Sequence, residues 1–176
     1  MPDFDDIAKA IQKLSRVRLV VGVPQQNDPR QDSPIGNASL GYIHELGSPA
    51  RNIPPRPHLV PGVEAALPEI IPLLKQAAQA ALAGDESGMQ NALAGAGQRG
   101  ADSVRATIQA GIPPPLQPAT VAARVTGRSR RQTEAQRRGI GMRQLAREEI
   151  VEGGATPLID TASYIRALTF VVRNVG

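Results

Sequence analysis

The sequence predicts an α+β fold: a small, mostly antiparallel sheet packed against two long helices, with extended loops and an arginine-rich arm. Three observations lead there. Apolar residues recur at helical spacing over two long stretches, about 60–83 and 87–110. Two short β-rich segments, about 16–23 and 165–172, stand near opposite ends of the chain. Gly (17) and Pro (16) make up 33 of 176 residues, well above average usage, which calls for much loop. A length of 176 residues suits one domain, 1–176.

The elements follow in order. Asp3 to Ser15 reads as an amphipathic helix with Phe4, Ile7, Ala8, Ile11 and Leu14 as its apolar stripe. Asp3, Asp5 and Asp6 sit where the helix dipole favours acids. Arg16 to Val23 alternates, with Val17, Leu19, Val21 and Val23 on one face, until Pro24 ends the strand. Residues 24–36 have turn composition and read as an exposed loop. Asn37 is then expected to cap a short helix carrying Leu40, Ile43 and Leu46, with Gly47 as its stop.

Ser48 to Pro57 holds four prolines and is expected to be a stiff, extended connector. The first long helix should bury Val63, Leu67, Ile70, Ile71, Leu74, Ala78 and Ala81. Pro68 and Pro72 inside it predict a kink or a late start. Ser87 with Gln90 resembles a capping box for the second, whose stripe is Met89, Leu93, Ala101, Val104 and Ile108. Gly111 and Pro113–Pro115 stop it, and the two helices should pair as a hairpin, close because Ala92, Ala94, Gly95, Ala96 and Gly97 are small. Thr156 to Thr161 is turn-like, and the alternation from Ile165 to Val172 predicts a closing strand.

Composition excludes several functions. With no Cys there is no disulfide scaffold, thiol catalysis or thiolate metal site. Two histidines, His44 and His58, lack further ligands at metal spacing, so no metal or other cofactor is expected and both rings are read as structural. Four aromatics are too few for a base-stacking module. Gly95-Ala96-Gly97-Gln98-Arg99-Gly100 matches the dinucleotide fingerprint letter for letter, but it lies mid-helix rather than between strand and helix, so packing by small residues explains it better. Ser48, Ser87, Ser103 and Ser163 lie in no nucleophile elbow, and a turn or cap accounts for Asp160-Thr161. The sequence predicts no enzyme. The acidic amino terminus is unlike a signal peptide, and no apolar run approaches the roughly 18 residues that span a bilayer.

Charge is concentrated. Residues 118–147 carry eight Arg against one acid, whereas 1–117 carry 10 basic and 11 acidic residues. The sequence pI of about 10.1 therefore belongs to one segment, an arm or insertion over 122–155. Arg124, Arg128, Arg130, Arg131, Arg137, Arg138, Arg143 and Arg147 suit contact with phosphate, docking on an acidic partner, or simple solvation, and all three readings stand.

Three stretches, in order, carry a resemblance. Tyr42-Ile43-His44-Glu45-Leu46-Gly47 followed by Ile53-Pro54-Pro55-Arg56-Pro57-His58, then Leu116-Gln117-Pro118-Ala119-Thr120, then Pro157-Leu158-Ile159-Asp160-Thr161, resemble the signature of phage tail-completion and neck proteins. Here His58 stands where that pattern has Phe, and Ala162 where it has Gly. The resemblance implies a structural virion protein at the head–tail junction of a long-tailed phage, present in the host cytoplasm during assembly. It implies a closed homo-oligomeric ring, of about six copies in preference to about twelve, meeting connector or stopper and tail-tube or terminator proteins and surrounding the DNA passage. Candidate subunit-interface residues are Tyr42, His44, Glu45, Arg51, Arg56, Asp160 and Arg166. The alternative is an accessory protein that grips nucleic acid nonspecifically through the arm.

Overall fold

The amino-terminal helix forms where its acids place it. In the computed structural model, which describes residues 3–29, 34–115 and 163–175, helix α1 spans Phe4–Arg16. Asp3 is its N-cap, and the side chains of Asp3 and Asp6 each accept from the other's backbone N–H. Strand β1 (Val17–Gly22) follows directly, then a 3-10 turn at Gln25–Asn27 and helix α2 (Asn37–Leu46). Helices α3 (Leu59–Leu82) and α4 (Glu86–Ala110) form the predicted hairpin, α5 (Ser163–Ala167) is short, and β2 (Thr169–Asn174) closes the described chain. The mixed fold class is as expected: two long packed helices beside a two-stranded antiparallel sheet.

Helix α4 is the spine. Its expected stripe is buried in full, joined by Ala96, Gly97 and Gly100. Three apolar clusters succeed one another along it. Met89 and Leu93 pack with Ala77; Ala96 packs with Ala66 and Ile70; Val104 and Ile108 pack with Ile112, Tyr164 and Leu168. Small residues set the spacing. A Cβ on Gly62 of α3 would lie 2.7 Å from the Val104 Cα, and one on Gly97 would overlap the Phe170 ring of β2. The glycines of the fingerprint-like stretch thus serve packing: Gly97 lies under Phe170, Gly100 under Val21, and Gly95 beside Leu73. A two-stranded sheet is marginal alone, and this one is supported by α4. Its register sets Val21 opposite Phe170 and Leu19 opposite Val172, and Val21, Leu19 and Phe170 pack on the helices.

Several expectations need correction. Asn37 does not cap α2. Gly36 does, while Asp28 of the preceding loop accepts from the backbone N–H of both Asn37 and Ala38. The freed Asn37 side chain is buried and bonds the Asn27 carbonyl. The cap of α4 is Asp85, accepting from Gly88 N–H, rather than Ser87. The connector is not extended throughout. Ser48 and Ile53 exchange two backbone hydrogen bonds around a 3-10 turn, with Asn52 left-handed at φ 52°. The closing strand begins later than the alternation suggests, because residues 163–167 are helical.

Two apolar stripes are borne out only in part: Val63, Ile70 and Ala81 of α3 and Leu14 of α1 pack on the core as expected. On α1 only Ala10 is buried; Phe4 is 84% exposed, and Ile11 is open as well. On α3 the buried face is Gly62, Ala66, Ile70 and Ala77, while Leu67, Ile71 and Leu74 are exposed. The cause is residue size. Apolar periodicity weights large side chains, whereas α4 meets α3 through its small ones. Pro68 and Pro72 sit within the continuous α3 on its exposed side, where the carbonyls they leave without a helical donor can meet water.

Candidate functional site

The motif-rich stretch 41–58 folds into a clasp between α2, the start of α3 and the carboxy-terminal elements. Gly47, at φ 75°, stops α2 and turns the chain back; a Cβ there would meet the Ile53 carbonyl at 2.8 Å. The return brings Arg56 N–H within 2.6 Å of the His44 carbonyl. The last turn of α2 and the first turn of α3 are thereby held side by side.

Glu45 joins them. Its carboxylate accepts from the backbone N–H groups of His58 (2.8 Å), Leu59 (3.0 Å) and Val60 (3.2 Å), so a side chain on α2 caps the positive end of α3. Burial alone would raise the Glu45 pKa, but those three N–H donors and the nearby His58 ring hold it below the ordinary carboxylate value.

His58 is fully buried at the centre. Its Nδ1 lies 2.9 Å from the Arg56 carbonyl and 3.1 Å from Glu45 Oε2, both of which can only accept. Nδ1 therefore carries a proton, which in the neutral ring leaves Nε2 to accept from the Tyr164 hydroxyl at 2.6 Å. The two rings meet edge to face at 80°. Burial, with the Glu45 charge adding to it, pushes the Tyr164 hydroxyl well above its ordinary pKa, so this proton stays in place. Gly41 makes room: a Cβ there would lie 2.6 Å from the Tyr164 oxygen.

Arg56 completes the clasp. It is 6% exposed, and its guanidinium donates to the carbonyls of Pro114 (3.1 Å) and Pro115 (3.4 Å). The ring of Tyr164 and the peptide groups after α4 are thus tied to residues two apart in the chain.

The candidate interface residues separate accordingly. Tyr42 is 67% exposed beside Leu46, one turn along α2, and Arg51 and Arg166 lie on the surface. His44 is half-buried. Glu45 caps α3, and Arg56 holds the 114–115 carbonyls within its own chain. Asp160, the turn at 156–161, residues 116–121 and all eight arginines of the arm lie outside the described residues.

The structural reading of His58 agrees with its full burial. Sequence reasoning missed Tyr164, Gly41 and Asn37 as its supports. Only contacts distant in sequence identify them, such as the Ser163 hydroxyl donating to the Asn37 side chain at 3.2 Å. Among the described residues no group of His, Asp and Glu is placed to hold a metal ion, and no helix is long and apolar enough to cross a membrane. Neither protein families, curated proteins nor solved structures include a match to this chain.

Proposed function

We propose that this protein is a structural subunit of a long-tailed phage, a ring component at the head–tail junction that completes or joins the tail and surrounds the DNA passage. One observation carries most weight. The clasp is braced by hydrogen bonds within the chain, yet it presents Tyr42 and Leu46 of α2 outward, each more than half exposed. Apolar residues on a braced backbone suit a contact between subunits, because little backbone freedom is lost on docking. The ordered resemblance of residues 37–173 to tail-completion and neck proteins supplies the rest of the reading.

The contact is heterologous: the Tyr42 face of one copy meets a different face of the next, and rotation closes the ring. The chemistry of the clasp fits this role. Its Glu45 carboxylate and His58 ring are engaged by backbone N–H and carbonyl groups of the same chain.

Negative-stain imaging and light scattering of the full chain test the proposal. Closed rings of about six copies are expected, and Leu46→Asp should disperse them while circular dichroism stays unchanged. A wild-type chain that remains monomeric at assembly concentrations, and is absent from purified virions by mass spectrometry, would sink it.

A further inference from the structure

Helix α3 has a wide apolar surface, and the hairpin covers only part of it. The face toward α4 carries Gly62, Ala66, Ile70 and Ala77. Beside it runs a second stripe of Val60, Leu67, Ile71, Leu74 and Leu82, all between 38 and 58% exposed. At 100° per residue these five lie within about 80° of one another, and they extend along the whole helix, about 35 Å.

The order of this stripe is nearly the same in both directions. From Ile71, Val60 and Leu82 each stand eleven residues away, and Leu67 and Leu74 stand four and three away. One flank of the stripe, on the side away from α4, carries Glu64 and Lys75, about 20° apart around the helix. Both are exposed, and neither has an ion-pair partner among the described residues.

We propose that this face is a self-docking surface, on which a second copy of the chain lays its own α3 antiparallel across a two-fold axis at Ile71. A two-fold perpendicular to paired antiparallel helices sets like flanks on the same side. Glu64 then lies opposite the second copy's residue 78, three positions from its Lys75, an offset of about 4.5 Å that a lysine side chain spans. The symmetry forms this charge pair twice. Ile71 meets its own counterpart, and Val60 meets Leu82 at both ends. A parallel arrangement would instead set the two charged flanks on opposite sides of the seam, where Glu64 and Lys75 form no pair. Charge complementarity therefore selects the occupant and its direction.

The contact is independent of the ring reading. Ring closure uses two different surfaces, whereas this contact is isologous and would pair chains, or whole rings, back to back.

The chain has no cysteine, so a single thiol reports the geometry. Oxidation of Ile71→Cys in the full chain should give a disulfide dimer at least about tenfold faster than Ala65→Cys, an exposed position about 120° around α3. Glu64→Lys should weaken dimerisation about three- to tenfold in sedimentation equilibrium, and adding Lys75→Glu should restore it. All four positions are exposed, and circular dichroism verifies that each variant folds. Equal cross-linking at 71 and 65 overturns the proposal, as expected if another protein, another face or residues 116–162 cover the stripe. A double charge variant that stays as weak as Glu64→Lys overturns it too. Neither result bears on whether rings form.

Discussion

The α3–α4 hairpin and the clasp at the head of α3 meet at residues 58–62, yet opposite physics holds them. The hairpin is dry and governed by volume: Gly62, Ala66, Ala96 and Ala101 let two helices approach until backbone nearly meets backbone. The clasp is polar and governed by charge and direction. One carboxylate accepts three N–H groups, and one imidazole links a carbonyl to a phenol. The hairpin should therefore be intolerant of added atoms and indifferent to pH. The clasp should show the reverse.

The largest effect expected is at Gly62→Val. Its Cβ would fall 2.7 Å from the Val104 Cα, so the helices must separate or shear, at about 3 kcal/mol. Thermal melts at pH 7 and pH 4 should show nearly equal losses; a loss present at only one pH breaks the comparison. Glu45→Gln should cost about 1.5 kcal/mol at pH 7, because the charge that strengthens three backbone hydrogen bonds is gone. Its pH dependence has a definite sign. A carboxyl whose folded pKa lies below its ordinary 4.5 stabilises the fold fully above that value and ceases to as pH falls through the lowered one. The gap between wild type and Glu45→Gln should narrow on acidification, and a gap that widens removes Glu45 from the account. Tyr164→Phe, the smallest change, should cost about 1 kcal/mol by leaving His58 Nε2 without its donor. A stability equal to wild type in denaturant melts would mean that the hydroxyl adds nothing to the clasp.

Elements were more legible in the sequence than faces. Helix α4 was readable because Met89, Leu93, Val104 and Ile108 are both large and buried, so periodicity and packing coincide. On α3 they diverge: small residues lie inward while Leu67 and Ile71 lie outward, and a rule that follows large side chains selects the open surface. Caps failed for a different reason. Asn37 has the chemistry of a cap, but the helix starts at Asn37 itself, and Asp28, nine residues earlier, accepts from the first two N–H groups and leaves the Asn37 side chain to be buried. In the clasp, the motifs mark Glu45 and His58 separately, and nothing in them pairs the two. Their partner Tyr164 stands 106 residues beyond His58, a distance over which no local pattern operates.

The clasp also has a consequence for how distant parts of the chain are held. Arg56 grips the carbonyls of Pro114 and Pro115, and His58 grips Tyr164, so positions 50 residues apart in sequence are pinned by two side chains only two residues apart. Bringing distant positions together costs closure entropy that grows with the logarithm of the separation, about 0.6 kcal/mol for each doubling. Losing either Arg56 or His58 would release one of the two positions and leave the other held.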